Sequence, residues 1–524
     1  MGEVYVRRSI TTAFLLGTAA LAVTGCGRTV DTSPPRAASS SITLAQADDP
    51  YFQTGQDILA RIQAQQPNTN QAKNVILFVA DGMGFATVTA ARILEGQQRG
   101  VDGESNVLTF ESFPYLAASK TYSSDAQVAD SSPTAVAMVT GVKTRNAAMA
   151  VKHTVPVEDC QASLDDGAVT TIFEMAQAAG LATGVVSTAR LTHATPGATH
   201  SHSPSRDWES DADMPAEALQ MGCKDIARSM IEIPYGHGFD LAFGGGRSYF
   251  LPETAADPEY EGKTGRRKDG RDLTKAWTDR HGAGSAYVWN KEQFDAIDPA
   301  STGPVLGLFD MSHMQYDVDR EKDAGGEPSL AEMTDKAIDI LQAKSGDEGF
   351  ILLVEGGRVD HALHAGNAAR ALTDAIAFDR AIKTAVDKVN LDETLIVVTA
   401  DHSHTLTING YPERGNPILG LAAWEGEPLL GDDGKPYTTL QFANGPGALK
   451  DAPRVDLTNV DTTDVDFLQP ALVPMSSETH GGEDLGIYAI GPWAHLFQGT
   501  VEQNYIFHVM NHASKIGQRA GAMD

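Results

Sequence analysis

Four short apolar segments, spread along most of the chain, restrict most strongly the folds that it can adopt. They read NVILFVADG (74–82), ATGVVSTARLTHATP (182–196), FILLVEGG (350–357) and TLIVVTADHSH (394–404). Helical patterns such as TIFEMAQAAG and AEMTDKAIDILQAK lie between them. Near-continuous apolar runs are typical of strands buried on both faces, and their alternation with helices is typical of a parallel sheet. We therefore predict an α/β fold with a central, mostly parallel sheet covered by helices on both faces.

Each of these segments ends in side chains that can bind a metal ion. The candidates are Asp81, His193 with Thr195, Glu355, and Asp401 with His402. In open α/β sheets, ligands bind beyond the carboxyl ends of the strands, so we expect one site at that edge. Asp360 and His364 lie one helical turn apart after Glu355 and would face the same site. Taken alone, Asp360 and His364 could lie on a helix face exposed to solvent. Four strands with candidate ligands at one edge of the sheet favour a metal site instead.

The ligand types restrict both the metal and the reaction. Carboxylates with a few imidazoles and no thiolates suit Zn²⁺ and Mg²⁺. The candidates outnumber the ligands of a single ion, which indicates two or three metals. Paired metals roughly 4 Å apart stabilise the attacking and leaving oxygens of an in-line phosphoryl displacement. The pattern therefore predicts a metal-dependent phosphoryl-transfer enzyme, for which a nucleophile must come from another segment.

The chain is strongly acidic. It has 524 residues, with 40 Lys and Arg against 69 Asp and Glu, and a formal net charge of −29. This charge repels phosphate backbones, so nucleic acid is not expected as a binding partner. A small anionic substrate would need local positive charge from arginine or from bound metal.

The N-terminus is typical of an exported protein. Residues 1–25 contain Arg7 and Arg8 and then ITTAFLLGTAALAVTG, which predicts an export signal too short for a membrane span. The segment ends in VTGC, similar to the lipobox of bacterial lipoproteins, so Cys26 is a candidate lipidated residue; an ordinary cleaved signal is the alternative. The Pro/Ser-rich residues 26–48 predict a flexible tether. We expect a periplasmic or cell-surface bacterial protein that meets the membrane only through this anchor.

Two further cysteines, Cys160 and Cys223, follow the predicted tether. Two cysteines in an exported chain more often pair than stay free. We therefore predict a disulfide between them.

Several motifs together resemble the alkaline phosphatase family. They are NVILFVADGMG, VADSSPTAVAMVTGVKT, TADHSH and SSETHGGED, in the family's order between about residues 70 and 515. SRDWESDADMPAEALQMGCKDIA and VEGGRVDH are closer to animal-type members than to enteric bacterial ones. The resemblance implies hydrolysis of phosphate monoesters through a phosphoserine intermediate.

The resemblance also implies a role for individual residues. A first zinc would be held by Asp360, His364 and His480. A second zinc would be held by Asp81, Asp401 and His402, and a magnesium ion by Asp81, Thr195 and Glu355. Ser131 would be the nucleophile, although a serine in this position alone could be a plain helix cap. The Arg206 guanidinium would bind two phosphate oxygens. His193 would order magnesium-bound water, and His361 would support the first zinc. His200, His202 and His404 are expected to be structural or to orient ligands, and not to bind metal themselves.

Alternative functions remain at this point. The protein could be a phosphodiesterase or another member of the metal-dependent phosphatase and sulfatase superfamily, which shares the sheet and the zinc ligands. Arg206 and the magnesium ligands favour monoesters, because a dianionic phosphate needs more positive charge. From another class, a catalytically inactive surface lipoprotein could capture phosphate, but the complete nucleophile and ligand set argues against it.

The resemblance to animal-type members implies a calcium site and a dimer. Calcium would be held by Glu259, the backbone of Phe309, Asp310 and Glu327. Asp310 is one methylene shorter than the glutamate that is usual at its position. The alternative is an acidic loop that is exposed to solvent and binds no ion. Residues 405–475 resemble the crown insertion that joins subunits, between the parts 70–404 and 476–520 of the catalytic domain. The predicted helix 49–66 could embrace a partner. We therefore expect a homodimer with two Zn²⁺, one Mg²⁺ and one Ca²⁺ per chain.

Overall fold

A computed structural model describes residues 43–522. The predicted export signal, Cys26 and most of the tether lie outside the described residues. By their contacts, the described residues divide into two units at residue 64. In the first, a helix runs from Pro50 to Ala64, within the predicted range 49–66, and none of its residues is buried. No helix among residues 43–522 is both long and apolar enough to cross a membrane.

Seventeen strands are found among the described residues. They are β1 Asn74–Ala80, β2 Tyr115–Lys120, β3 Ala182–Arg190, β4 Leu241–Gly245, β5 Ala286–Val288, β6 Val305–Leu308, β7 Phe350–Gly356, β8 Thr394–Ala400, β9 Ser403–His404, β10 Leu406–Ile408, β11 Ala423–Trp424, β12 Glu427–Pro428, β13 Leu440–Gly445, β14 Ala471–Pro474, β15 His480–Gly481, β16 Leu485–Ile490 and β17 Thr500–Glu502.

Ten of these strands form the central sheet, in the order β17-β2-β16-β8-β1-β7-β3-β4-β6-β5. Neighbouring strands are parallel except around β16, which is antiparallel to both β2 and β8. The four segments predicted as strands are β1, β3, β7 and β8, and they lie side by side in the middle of the sheet. Every residue of β1, β7 and β8 is buried. The predicted fold class is therefore confirmed.

Helices cover both faces of this sheet. The α-helices within the described residues are α1 Pro50–Ala64, α2 Phe85–Gln98, α3 Ser131–Thr140, α4 Cys160–Leu164, α5 Ile172–Ala178, α6 Ala194–Gly197, α7 Ala216–Met221, α8 Ile226–Ile231, α9 Arg247–Phe250, α10 Leu273–His281, α11 Lys291–Asp295, α12 Leu330–Ser345, α13 Arg358–His364, α14 Ala368–Lys388, α15 Tyr505–Ser514 and α16 Ile516–Arg519.

Strand β1 shows how the two faces arise from the sequence. Ile76 and Phe78 belong to the core with α2, α12 and α14, whereas Val75 and Leu77 belong to the core with α3, α5 and α15. Successive side chains of a strand point to opposite faces, so a continuous apolar run supplies both cores.

Residues 405–475 lie outside the central sheet. They contain a three-stranded sheet in the order β10-β13-β14 and the two-stranded ribbon β11-β12. Large apolar side chains are exposed here, among them Tyr411 (86%), Trp424 (54%) and Leu472 (82%). These strands are thus separate from the central sheet and leave apolar side chains exposed in the single chain.

Cys160 and Cys223 form a disulfide, as the sequence predicts. Their Cα atoms are 6.0 Å apart, and the two residues are separated by 63 positions. Cys160 begins α4 and Cys223 follows α7. Both cysteines are buried in a small apolar cluster with Trp208 and Met214.

Replacing both cysteines by serine should lower the free energy of unfolding by about 4 kcal/mol, because the bridge closes a long loop in the unfolded chain. Denaturant unfolding of the double variant and of the native chain, with and without reductant, measures this loss; the double variant itself should not respond to reductant. Thiol labelling at both Cys160 and Cys223 in the unfolded, unreduced protein would contradict the pairing.

Candidate active site and metal centre

Helix α3 presents Ser131 at its first position. Asp130 caps the helix, because its side chain accepts a hydrogen bond from the Ser132 backbone N–H. Pro133 lies in the first turn, where its missing N–H has no helical partner to lose. All ten residues of the helix are buried, so the Ser131 hydroxyl is held rigidly at a helix N-terminus, an environment that stabilises anions.

The predicted second-zinc ligands surround this hydroxyl. Ser131 Oγ lies 3.1 Å from His402 Nε2 and 3.4 Å from Asp81 Oδ1. His402 Nε2 lies 3.2 Å from Asp81 Oδ1 and 3.4 Å from Asp401 Oδ2. Ligands of a tetrahedral zinc are about 3.3 Å from one another, given zinc–ligand distances near 2.0 Å. These atoms are therefore already spaced as ligands around one ion.

The predicted first-zinc ligands have the same spacing. Asp360 Oδ1 lies 3.4 Å from His364 Nε2 and 3.6 Å from His480 Nε2. The two Nε2 atoms are 3.1 Å apart. The Nδ1 of His364 faces the Glu478 carbonyl at 2.5 Å, and that of His480 faces the Ala129 carbonyl at 2.8 Å. These backbone contacts suit Nδ1–H donation and leave both Nε2 atoms free for a metal.

The predicted magnesium ligands are oxygens without protein partners. Asp81 Oδ2, Thr195 Oγ1 and Glu355 Oε1 are buried and make no hydrogen bond within residues 43–522. The other Glu355 oxygen accepts a hydrogen bond from Ser187. Buried oxygens of this kind are costly unless something binds them, and oxygen ligands are those that Mg²⁺ prefers.

The carboxylates of the site repel one another in the absence of a cation. Burial, followed by the charges of Asp360 and Glu355, raises the pKa of Asp81 well above its ordinary value. Burial raises the pKa of Asp401 to about 7, helped by the charge of Asp81, and burial likewise raises that of Glu355 to about 7. Such a concentration of buried acids is stable as carboxylates only with compensating positive charge.

Arg206 lies at the same site. Its Nη1 donates to Asp130 Oδ1 at 3.2 Å, and its Nη2 lies 3.1 Å from His193 Nε2. Burial opposes the charge on Arg206, but the carboxylates of Asp130 and Asp81 outweigh burial and raise its pKa above the ordinary arginine value. A guanidinium fixed next to the cap of the Ser131 helix is placed to meet an anion.

A cleft of about 310 Å³ opens beside Ser131. Its walls are Val128, Ala129, Asp130, Asn146, Thr479 and His480. The nucleophile segment and the last predicted zinc ligand therefore face one space that is open to solvent.

Known proteins match this chain over almost its whole length. A family model described as alkaline phosphatase matches residues 72–516. The chain belongs to the alkaline phosphatase family. This alkaline phosphatase is 46% identical to one from Gadus morhua over 461 residues, which are 87% of this chain and 94% of the relative. It is 44% identical to the tissue-nonspecific isozyme of Gallus gallus, over 91% of this chain and 92% of the relative.

Solved structures show the same fold at lower identity. The Thermus thermophilus alkaline phosphatase has a TM-score of 0.61 at 23% identity, covering 87% of this chain and 94% of that chain. The enzyme of the Antarctic bacterium TAB5 has a TM-score of 0.57 at 24% identity, covering 85% and 99%. The animal relatives confirm the predicted closeness to animal-type members. This alkaline phosphatase is a metal-dependent hydrolase of phosphate monoesters, as the sequence predicts.

The predicted calcium ligands lie together in this alkaline phosphatase. Tyr260 Oη donates to Asp310 Oδ2 at 2.9 Å. The Gln315 side chain donates to Asp310 Oδ2 at 3.3 Å, and the Gln315 backbone N–H donates to Glu327 Oε2 at 2.9 Å.

The carboxylates of this group repel one another. Burial raises the pKa of Glu327 to about 9, helped by Asp310, Asp323 and Glu259. Arg247 Nη2 donates to Glu259 Oε2 at 2.7 Å and offsets part of this charge. Asp323 is a further carboxylate of the cluster that sequence reasoning missed.

Sequence reasoning also missed the partners that orient the zinc ligands. His404 Nε2 lies 2.8 Å from Asp360 Oδ1, and its Nδ1 contacts Glu478. Burial opposes the charge on His404, but these two carboxylates raise its pKa to about 10. His404 therefore lies between two carboxylates, where it can orient the Asp360 side chain. The SSETHGGED motif already contains Glu478, but no local pattern pairs it with His404.

The remaining predicted histidines fall into two groups. His202 Nε2 bonds Glu174 at 2.8 Å, and His200 Nδ1 lies 3.1 Å from the Thr199 hydroxyl, so both have partners away from the zinc ligands. His193 caps α6, and His361 lies on α13 next to Asp360. The rings of His193 and His361 are 5.4 Å apart. A His193 nitrogen also lies within 4.8 Å of oxygens of Asp81 and Glu355, two of the predicted magnesium ligands.

Proposed function

We propose that this enzyme hydrolyses phosphate monoesters with Ser131 as nucleophile and with two zinc ions and one magnesium ion. The observation that carries the proposal is the spacing around Ser131 Oγ, where His402 and Asp81 lie within 3.1–3.4 Å. A helix cap needs no such neighbours, whereas a serine activated by a metal does.

The residues fit the proposed ions in number and type. The first zinc would be held by Asp360, His364 and His480. The second zinc would be held by Asp81, Asp401 and His402, and the magnesium ion by Asp81, Thr195 and Glu355. Asp81 could serve two ions, because its Oδ1 lies 3.2 Å from His402 Nε2 while its Oδ2 has no hydrogen-bond partner among the described residues. When bound, the ions supply Lewis-acid charge that polarises phosphoryl oxygens and lowers the pKa of a hydroxyl or water.

The chain's own residues perform the two displacements. Ser131 Oγ attacks phosphorus and loses its proton, and the ester oxygen leaves with its bonding electrons to become an alcohol. A water then attacks the phosphoserine, and Ser131 regains its proton as inorganic phosphate departs. Throughout, the Arg206 guanidinium binds two non-bridging oxygens, and the α3 N-terminus stabilises the phosphoryl charge. The proposed contacts concern the phosphate only, so the leaving alcohol can vary.

Arg206→Ala should weaken inhibition by inorganic phosphate about 10- to 100-fold, the effect of one or two lost charge-assisted hydrogen bonds. The fall in kcat should be smaller, because the guanidinium binds the phosphoryl oxygens about equally in the ground state and in the transition state. Turnover of a nitrophenyl monoester should suffer more than any residual turnover of the diester, which carries less charge.

Arg206→Lys should restore part of the binding, since it keeps the charge and loses the planar fork. Arg228→Ala is the matched control, because Arg228 lies on helix α8 and pairs with Glu232 four positions later. Phosphate that inhibits Arg206→Ala as strongly as the native enzyme would exclude the proposed role, and a strong preference for the diester in the native enzyme would favour a phosphodiesterase.

We also propose calcium at Glu259, Phe309, Asp310 and Glu327, with Asp323 as an added source of charge. The repulsion among these acids supports a cation there. Homodimerisation through residues 405–475 is supported by their exposed apolar side chains, and the helix Pro50–Ala64 is a second candidate contact. Export through residues 1–25 and lipid anchoring at Cys26 rest on the sequence pattern alone.

A further inference from the structure

Three histidines meet beside the magnesium end of the active site. His193 follows β3, His313 lies on the loop after β6, and His361 lies on α13 after β7. One nitrogen from each ring lies within 4.8 Å of the others. His193 and His361 have proposed roles as single side chains, whereas His313 takes no part in the proposed mechanism.

The arrangement of the rings is close to that of a three-imidazole metal site. Ring centres are 5.2 Å apart for His193 and His313, 5.4 Å for His193 and His361, and 4.0 Å for His313 and His361. Three imidazoles on one tetrahedral zinc have centres roughly 5.2 Å apart, since each ring centre lies behind a nitrogen about 2.0 Å from the metal. The two separations that involve His193 match this value. The third is shorter, so the rings of His313 and His361 would have to move apart by about 1 Å.

Two of the rings also carry unsatisfied nitrogens. His193 Nδ1 and His361 Nδ1 are buried and have no hydrogen-bond partner within the described residues. A buried imidazole nitrogen without a partner is costly and rare, so it indicates a missing ligand. The rings themselves are only partly buried, which leaves a path for an ion from solvent.

Arg190 lies beside the three histidines, but its charge and contacts do not prevent an ion from binding there. Arg190 contacts His313, and its backbone N–H lies 3.2 Å from His313 Nδ1. Its Nε and Nη2 donate to Glu209 at 2.8 and 2.7 Å, so a carboxylate offsets its charge. A neutral imidazole cannot accept hydrogen bonds at both nitrogens, and Arg190 offers donors to both in His313. His313 lies outside any helix or strand. Binding of an ion would require its ring to turn from Arg190 towards the other two histidines.

We propose that His193, His313 and His361 form an additional binding site for a transition-metal ion, distinct from the two zinc sites and the magnesium site. Three imidazoles suit Zn²⁺, Cu²⁺ or Ni²⁺ and are poor ligands for Mg²⁺ and Ca²⁺. The ion would draw His193 away from Arg206, so this site links transition-metal supply to the phosphate-binding side chain.

The test counts metal in the intact enzyme after loading with Zn²⁺ and Mg²⁺. Equilibrium dialysis against micromolar Zn²⁺ followed by elemental analysis should find about one more zinc per chain in the native enzyme than in His313→Gln. Basal monoesterase activity in Mg²⁺ without excess zinc should be the same in both. His237→Ala is the matched control, because it removes a histidine that pairs with Asp240 elsewhere, and it should keep the extra zinc.

Electron paramagnetic resonance with added Cu²⁺ provides a readout independent of the phosphatase reaction. The native loaded enzyme should show a copper signal with hyperfine coupling to three nitrogens, which His313→Gln should lose. Equal zinc content and equal copper spectra in the two proteins would overturn the proposal. A Ser131 variant that is inactive but keeps the extra zinc would separate this site from any failure of the proposed mechanism.

Discussion

Ser131→Ala should lower monoester turnover by at least about 10³-fold, because removal of a catalytic nucleophile leaves only the site's electrostatic and binding contributions. Zinc and magnesium content should not fall, since the six proposed zinc ligands and the magnesium ligands are all retained. The fold should also persist, because the serine contributes one small buried hydroxyl at the start of α3. Steady-state kinetics, elemental analysis and circular dichroism measure these three expectations. Rapid quenching should detect no phosphoenzyme in the variant.

Ser132→Ala is the matched control. The Ser132 hydroxyl donates to the Ala148 carbonyl at 2.7 Å and has no contact with the metal ligands. Its loss should lower stability by about 1 kcal/mol and leave turnover near the native value. Full activity in Ser131→Ala together with inactivity in Ser132→Ala would show that the nucleophile is the second serine.

His364→Ala should remove about one zinc per chain and lower turnover at least 10- to 100-fold, a range typical even for residues that only orient metal ligands. The first zinc would retain only Asp360 and His480 from the protein. The second zinc should stay, because Asp81, Asp401 and His402 come from other strands. Elemental analysis after dialysis against buffer without zinc measures the loss, and excess zinc should restore part of the activity.

His202→Ala provides the comparison for His364. His202 is also a partly buried histidine, but it bonds Glu174 and the Ala150 carbonyl away from the zinc ligands. It should keep both zinc ions. A His364→Ala protein with unchanged zinc and normal turnover would mean that this face of α13 is merely solvated.

Local sequence pattern was sufficient for the strands and for the prediction of metal ligands near them. Asp81, Glu355 and Asp401 were predicted because each ends or directly follows a strand that is apolar along its whole length, and such strands are buried wherever they lie in the sheet. Asp360 and His364 were predicted because helical spacing places residues four apart on one face. Both rules act within a few residues, so they do not depend on the rest of the fold.

The residues that complete the site depend on distant pairing. His480 lies next to Asp360 and His364, the other predicted ligands of the first zinc, because it pairs with His404 in the antiparallel ladder β9-β15. No pattern near either residue predicts that ladder. Asp130 holds Arg206 across 76 positions, and Glu478 contacts His404 across 74. The family resemblance supplied His480 and Arg206 in advance, but it supplied neither of their partners.

The sequence by itself determined the fold class and the pairing of Cys160 with Cys223, and it predicted the chemistry of the metal ligands, because these follow from composition and short-range periodicity. Only the tertiary structure decided how β8, β1, β7 and β3 lie side by side, which carboxylates repel one another, and that His313 joins His193 and His361. Those contacts arise when segments hundreds of residues apart pack together. Their energies come from burial and charge at distances that a linear pattern does not contain.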